Sequence, residues 1–262
     1  MGERVTVSIG EGVAEVMLDR ADKFNALNLD MFRELDAAAR ELAAERGVRV
    51  VVLHGAGENF CAGLDLSVMQ DGAAAAAELL GAVNGSPANL AQRAAYAWRE
   101  LEVPVVCALH GIAFGGGLQI ALGADIRVAA PDAQLSVMEA KWGIVPDMAI
   151  TTTLRGIVAP DRAKELALTA RVFGAEEALR MGIVTRVEDD PLDVARILAA
   201  TIAGRSPGAV RGIKKLFNTG LNLPEDAALA LEARIQAGIL GTPNQAEAVQ
   251  ANLEKRKPDF VD

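Results

Sequence analysis

Two valine-rich runs, residues 48–53 and 103–109, constrain the fold of this chain most strongly. Each run is apolar at nearly every position and ends at a His-Gly pair, at residues 54–55 and 110–111. A strand without a polar face must be covered on both sides, and such strands are typical of parallel sheets flanked by helices. Helical patterns follow both runs, so the sequence predicts an α/β core.

Other segments show the patterns of single strands and helices. A β-hairpin is expected at residues 5–9 and 13–18, where apolar and polar residues alternate around a Gly-Glu-Gly turn. Asn28 is a suitable N-cap for a helix that ends near Gly47. Further strands are expected at 126–129, 134–137 and 184–187, and further helices at 116–122, 149–158, 162–170 and 175–181.

The chain of 262 residues divides into a core, residues 1–205, and a helical region, residues 206–262. The helical region is too short for a hydrophobic core of its own. We expect it to pack on the core or on a neighbouring subunit. Thr242 and Gln245 have the spacing of a capping box. An alanine run at 73–77 predicts either a loop over a site or a weakly packed helix.

Charge and cysteine content exclude several classes of protein. Lysine and arginine number 26 against 35 acidic residues, a net charge of −9, which disfavours nucleic acid as a partner. Cys61 and Cys107 lie far apart and no CxxC is present, so neither a disulfide framework nor a metal site is expected. No signal peptide or membrane span is predicted, and a reducing, cytoplasmic location is expected.

Two loops, residues 59–66 (NFCAGLDL) and 110–119 (HGIAFGGGLQ), are rich in small residues. Small residues allow a ligand to approach the backbone closely, and a helix N-terminus leaves N–H groups unpaired. Facing loops of this kind could direct two N–H donors at one oxygen, which is an oxyanion hole. The alternative for the triple glycine is tight packing of helix against sheet.

Two carboxylates, Glu139 and Asp147, lie eight positions apart in an otherwise apolar stretch. Apolar surroundings raise the pKa of a carboxyl group and make it a usable acid or base near neutral pH. The structural alternatives are an ion pair of Glu139 with Lys141 or an arginine, and an N-cap role for Asp147.

The histidines and cysteines are expected to be structural. His54 and His110 each precede a glycine at the end of a strand, where their rings can bind loop backbone. No GxSxG motif accompanies them, which disfavours a serine hydrolase. Cys61 and Cys107 are expected to be buried and unreactive.

Five motifs in order along the chain carry a resemblance to a known family: residues 22–27 (DKFNAL), 60–66 (FCAGLDL), 115–117 (GGG), 124–127 (ADIR) and 182–184 (GIV). With them the chain resembles, from end to end, the enoyl-CoA hydratase/isomerase (crotonase) family. The resemblance implies a spiral of stacked ββα turns with C-terminal helices that build homotrimers, often paired into hexamers. It implies an acyl-CoA thioester as substrate, with no metal or further cofactor.

The resemblance also assigns roles within the site. It places the thioester carbonyl between the N–H groups of Leu64 and Gly116. It implies contacts with the CoA thioester by Lys23, Ala26, Ala62, Gly63, Asp65 and Leu66. Basic residues in the run 254–258 (EKRKP) would reach a phosphate, although a solvated helix end explains that run equally well.

The reaction type depends on Gln119. The family's hydratases use two glutamates, and this chain has Gln119 in place of the first and Glu139 in place of the second. Glutamine can bind a water molecule but cannot take its proton. Family members that move double bonds in dienoyl-CoA resemble this chain in pairing a glutamate with an aspartate eight positions on, as Glu139 and Asp147 are. We therefore expect double-bond isomerisation, with Gln119 orienting the substrate or a water. Hydration, another thioester reaction and acyl-CoA binding without catalysis remain alternatives.

Overall fold

The computed structural model describes residues 4–70 and 72–262. Nine strands are found in these ranges, and they form two sheets. The strands are β1 Val5–Gly10, β2 Val13–Leu18, β3 Val50–Gly55, β4 Val105–Leu109, β5 Ile112–Phe114, β6 Ile126–Ala129, β7 Gln134–Ser136, β8 Phe173–Gly174 and β9 Arg186–Val187.

Helices surround the two sheets. They are α1 Leu29–Ala44, α2 Leu66–Gln70, α3 Gly72–Leu79, α4 Leu90–Glu100, α5 Gly116–Leu122, α6 Ile150–Thr153, α7 Pro160–Thr169, α8 Ala175–Met181, α9 Pro191–Ala203, α10 Pro207–Thr219, α11 Glu225–Ile239 and α12 Pro243–Glu254. None of the helices in the described ranges is long and apolar enough to cross a membrane.

The larger sheet has the strand order β1-β2-β3-β4-β6-β9, and the smaller sheet has the order β5-β7-β8. Only β1 and β2 pair antiparallel in the larger sheet, as the predicted hairpin, with Val5 opposite Leu18. The pairs β2–β3, β3–β4, β4–β6 and β6–β9 are parallel. The predicted parallel α/β core is therefore confirmed.

Both faces of β3 and β4 are covered, as their valine-rich sequences require. Val51 and Leu53 face the main hydrophobic cluster, to which α1, α4 and α5 contribute. Val50 and Val52 face the opposite side, where α9 packs its alanines Ala195 and Ala199. The sheet is thus the middle layer between two sets of helices.

The N-cap of α1 is confirmed, because the Asn28 side chain accepts a hydrogen bond from the Met31 N–H at 3.0 Å. The predicted helix at 149–158 is wrong in extent, since only Ile150–Thr153 is helical. The chain turns away at Gly156, whose φ of +78° is a left-handed conformation. The predicted strand at 184–187 is likewise reduced to β9.

The helical region after residue 206 is anchored to the core through one buried lysine of α10. The Lys214 Nζ donates to the carbonyls of Trp98 and Val103 and forms an ion pair with Asp125 at 2.8 Å. At the start of α12, the Thr242 side chain accepts from the Gln245 N–H, which is one half of the predicted capping box. The Gln245 side chain accepts from the Gly241 N–H and not from that of Thr242.

Candidate active site

One cavity of about 1000 Å³ opens where three segments meet: the loop between β2 and α1, the loop after β3 and the start of α5. Helices α2 and α3 and the segment 138–148 complete its wall. The basic run 254–258 does not line this cavity, but all the other residues that the sequence proposed for a site do. They are Lys23, Ala26, Ala62, Gly63, Leu64, Asp65, Leu66, Gly116, Gln119, Glu139 and Asp147.

The backbone of Leu64 is held by a short parallel bridge to Leu27. The Leu27 N–H donates to the Gly63 carbonyl at 2.8 Å, and the Asp65 N–H donates to the Leu27 carbonyl at 3.0 Å. Successive N–H groups of an extended chain point in opposite directions. The N–H of Leu64, between these two bonds, therefore points away from Leu27.

Gly116 is the first residue of α5, so its N–H lies in the helix turn that has no intrahelical acceptor. The preceding Gly115 has φ 50° and ψ −117°, a conformation open only to glycine. A Cβ on Gly63 would lie 2.6 Å from the Phe114 carbonyl oxygen and 3.5 Å from the Gly116 nitrogen, so the two loops touch. Within residues 4–70 and 72–262, neither the Leu64 N–H nor the Gly116 N–H donates a hydrogen bond.

The third glycine of the triplet serves packing. A Cβ on Gly117 would lie 2.4 Å from the Cys61 carbonyl oxygen, so a side chain here would push α5 off the neighbouring loop. The packing explanation of the triple glycine is therefore confirmed at Gly117, and the oxyanion-hole explanation stays a prediction with which the unpaired N–H of Gly116 is compatible.

Glu139 is the buried carboxylate of the cavity, with 6% of its surface exposed. Its Oε1 accepts a hydrogen bond from the Gln119 Nε2 at 2.5 Å. Its Oε2 has no hydrogen-bond partner among the described residues. Burial raises the pKa of Glu139, and the negative charge of Asp147 raises it further. The suggested ion pair with Lys141 or an arginine is not formed in the described chain.

Gln119 is held by protein groups at both ends of its amide. Its Oε1 accepts from the Met148 N–H at 2.9 Å, and an N–H can only donate, so Nε2 has to face Glu139. The second hydrogen of Nε2 and the second lone pair of Oε1 are left for a ligand. This network leaves Glu139 Oε2 as the oxygen that can exchange a proton.

Asp147 is more accessible than Glu139 and lies on the wall of the same cavity. Its partial burial raises its pKa. The N-cap alternative is wrong: α6 begins after Ala149, whose φ is +64°, and no side chain caps it. The carboxyl group of Asp147 is therefore not committed to helix capping.

Arg20 is a site residue that the sequence did not reveal. Its guanidinium forms an ion pair with Asp65 and donates to the Ala26 carbonyl at 2.8 Å. The Asp65 carboxylate also accepts from the Ser67 N–H at 2.9 Å. The side chain of Asp65 thus fixes the loop, and a ligand contact of Asp65 would use its backbone.

Asn25 is a second residue whose role emerged only from the structure. It is fully buried with a φ of +54°, and its side-chain oxygen accepts from the Arg20 N–H at 2.8 Å. Its Nδ2 donates to the carbonyls of Ala56 and Asn59. Asn25 therefore connects the loop between β2 and α1 to the loop after β3. The only sequence signal was its place inside the motif at 22–27.

The histidines bind backbone, as predicted. A ring nitrogen of His54 lies 3.3 Å from the Gly55 carbonyl oxygen, and one of His110 lies 3.1 Å from that of Gly57. Cys61 is fully buried, and burial raises the pKa of its thiol to about 12, so it is protonated at neutral pH. Near the C-terminus, Arg256 pairs with two glutamates of its own region.

A spiral of parallel strands, with two unpaired backbone N–H groups beside a pair of carboxylates, defines a protein of the crotonase fold. The family model for enoyl-CoA hydratase/isomerase matches residues 8–262. The chain belongs to the enoyl-CoA hydratase/isomerase family.

Three relatives show how closely the chain is matched. A "Probable enoyl-CoA hydratase" of Rhodobacter capsulatus is 39% identical over 98% of this chain and 97% of its own. The peroxisomal Delta(3,5)-Delta(2,4)-dienoyl-CoA isomerase of Arabidopsis thaliana is 31% identical over 99% and 96%. A crystal structure of enoyl-CoA hydratase from Bacillus anthracis has a TM-score of 0.83 at 31% identity, covering 98% of each chain.

Proposed function

We propose that the protein moves a double bond within an enoyl- or dienoyl-CoA thioester. The observation that carries this proposal is the arrangement at Glu139. The Gln119 amide donates to Oε1 of Glu139 and cannot itself act as a base. Oε2 of Glu139 has no hydrogen-bond partner among the described residues, and it lies in a cavity that Asp147 also lines. Two proton-transfer groups of different accessibility suit removal of a proton at one carbon and its return at another.

The thioester oxygen would lie between the N–H groups of Leu64 and Gly116. When a proton leaves the carbon next to the thioester, negative charge develops on this oxygen. Backbone donors already in place stabilise that charge, and each is worth about 2.7–4 kcal/mol in the transition state. Because both donors are backbone groups on tightly packed loops, they need no rearrangement during the reaction.

Glu139 would act as the base. Its Oε2 takes a proton from C2 of a 3,5-dienoyl thioester, the C2–H electron pair forms the C1–C2 double bond of a conjugated enolate, and the carbonyl π pair moves onto the thioester oxygen. When the carbonyl re-forms, the C1–C2 pair moves to C2–C3 and the C3–C4 pair moves to C4–C5. The C5–C6 pair takes a proton from Asp147 and becomes the new C6–H bond. Partial burial raises the pKa of Asp147 above its ordinary value, which makes its carboxyl group a better proton donor near neutral pH than an exposed aspartate. Solvent then returns both groups to their starting states. Positioned acids and bases of this kind contribute roughly 10²–10⁴-fold.

The nucleotide part of CoA would bind at the cavity mouth. Lys23 is exposed there and carries a positive charge suited to a phosphate. Ala26 and residues 62–66 line the same opening and offer backbone groups. The substrate would be CoA-bound, with no other cofactor required.

Hydration is the second candidate, and the 39% identical relative named as a hydratase favours it. Glu139 would then have to deprotonate the attacking water alone. A panel of 2-enoyl-, 3-enoyl- and 3,5-dienoyl-CoA thioesters separates the candidates by product mass. An isobaric product supports isomerisation, and a product heavier by one water supports hydration. Unchanged thioesters that still bind would contradict both and indicate a binding protein.

We also infer that the helical region 206–262 builds a homotrimer or a dimer of trimers. Large apolar side chains are exposed on these helices, among them Phe217, Leu221 and Leu253, as expected of an interface. Light scattering of the purified protein tests the assembly, and a monomer would refute it. The cytoplasmic location stays a prediction that cell fractionation tests.

A further inference from the structure

The inner end of the cavity is closed by five buried apolar residues: Phe32 on α1, Val68 on α2, Ala75 and Leu79 on α3, and Ala91 on α4. Each of them is at most 9% exposed, yet each lines the cavity. The cavity therefore extends from the carboxylates into the space between these helices. This inner end is lined by hydrocarbon.

Small residues keep the cavity wide beside α3 and α4. The buried Ala75 and Ala91 and the exposed Ala76 line it, and a larger side chain at these positions would reduce its volume. The cavity of about 1000 Å³ is at the upper end of the usual range of ligand sites, roughly 300–1000 Å³.

Large apolar residues are also exposed around the outer part of the cavity. Leu66, Leu80, Trp142 and Val145 line it while between 49% and 72% of their surface is open to solvent. Exposed apolar side chains gathered around a concave site indicate an apolar ligand. The apolar wall is therefore continuous from the mouth to the inner end.

We propose that the inner end holds the unsubstituted hydrocarbon tail of a medium- or long-chain acyl thioester, and that Ala75 and Ala76 set the chain length accepted. This inference rests on the proposed acyl-CoA function, and it adds the class of acyl group. An acyl chain that ends in a carboxylate is rejected, because the inner end would remove its charge from water among hydrocarbon side chains.

Binding of saturated acyl-CoA tests the proposal without any reaction. Calorimetry is done on the purified full chain with butanoyl-, octanoyl- and dodecanoyl-CoA. Burial of each added CH₂ strengthens binding about fourfold until the pocket is filled. Dodecanoyl- and octanoyl-CoA therefore bind at least tenfold more tightly than butanoyl-CoA. Hexanoyl-CoA binds at least about tenfold more tightly than adipoyl-CoA, which has the same number of carbons and a terminal carboxylate.

Variants of α3 locate the tail. Ala75→Leu weakens octanoyl-CoA binding by about tenfold or more and changes butanoyl-CoA binding by less than about twofold. Ala76→Leu gives the same selective loss; Ala76 is exposed and tolerates a larger side chain without core strain. Ala77→Leu on the same helix is the matched control, because Ala77 is exposed and outside the cavity lining.

Affinity that does not change with chain length would overturn the proposal, and so would equal losses for butanoyl- and octanoyl-CoA in both variants. Adipoyl-CoA binding as tightly as hexanoyl-CoA would contradict the apolar inner end. Failure of the proposed isomerisation would give a different result from failure of this proposal. The saturated thioesters would still bind with the expected chain-length dependence, and the unsaturated ones would not be converted.

Discussion

Replacing Glu139 with glutamine should slow turnover and, at neutral pH, stabilise the folded protein. The amide has the size of the carboxylate, and its oxygen can still accept the Gln119 hydrogen bond. It cannot take a proton from the substrate, so we expect kcat to fall by roughly 10²–10⁴-fold. The matched control is Glu41→Gln, an exposed position on α1 that does not line the cavity.

The stabilising effect follows from the unpaired Oε2. A buried polar group without a partner costs about 1–3 kcal/mol, and more when it is charged. A glutamine at position 139 leaves a neutral N–H in that place, so the free energy of unfolding should rise by about 1 kcal/mol. For a chain of this size that difference corresponds to about 2–4 °C in Tm.

The pH dependence of folding stability provides a second test of the effect of Glu139→Gln, because the sign of the change can be predicted. Burial raises the pKa of Glu139 above its ordinary value of 4.5, so the folded state favours the protonated form. The wild type therefore loses stability as the pH rises from the ordinary value to the raised one. The advantage of Glu139→Gln should appear at neutral pH and disappear in acid.

Differential scanning fluorimetry at several pH values measures this difference, and a coupled absorbance assay measures turnover. A variant that is less stable than the wild type at neutral pH would show that Oε2 has a partner in the folded protein. Unchanged turnover would remove Glu139 from the mechanism altogether.

Three further substitutions test other parts of the site and the fold. Asp147→Asn should abolish isomerisation of dienoyl-CoA while acyl-CoA binding persists; isobaric product formed at the wild-type rate would exclude Asp147 as the second proton-transfer group. Gly63→Ala should destabilise the protein by about 1–3 kcal/mol and lower kcat, because Gly63 has φ +89° and an added Cβ would lie 2.6 Å from the Phe114 carbonyl oxygen. An unchanged midpoint of urea denaturation would contradict this close approach. Lys214→Met should cost about 3 kcal/mol in urea denaturation, because it leaves Asp125 without its buried cation; a loss below 1 kcal/mol would mean that the ion pair does not anchor α10.

Elements with strong local signals were predictable from the sequence. The hairpin β1–β2 follows from alternation around a Gly-containing turn, and the start of α1 follows from the Asn28 cap. The end of the helix predicted over 149–158 was not predictable in this way. The apolar pattern continues past Thr153, where α6 ends, so it does not mark the end of the helix.

The members of the site were predictable, and their hydrogen bonds were not. Motif order brought Gln119, Glu139 and Asp147 to attention, and all three line one cavity. The bond from the Met148 N–H to Gln119 decides which way the amide faces, and it joins residues 29 positions apart in the chain. Such a contact depends on how α5 packs against the segment before α6, which no local pattern encodes. The buried Asn25 was missed for the same reason.

The two short bridges at the cavity, Leu27 to Leu64 and Cys61 to Ala113, have a consequence for how such a site can change over time. They fix the unpaired N–H groups through main-chain atoms, which every amino acid supplies. Under the proposed function, substitutions at Gln119 or Asp147 would change the proton transfer and leave in place the two N–H groups that would bind the carbonyl. In such a scaffold, a single side-chain substitution could change the reaction, because the two N–H groups belong to the backbone and are retained when side chains change.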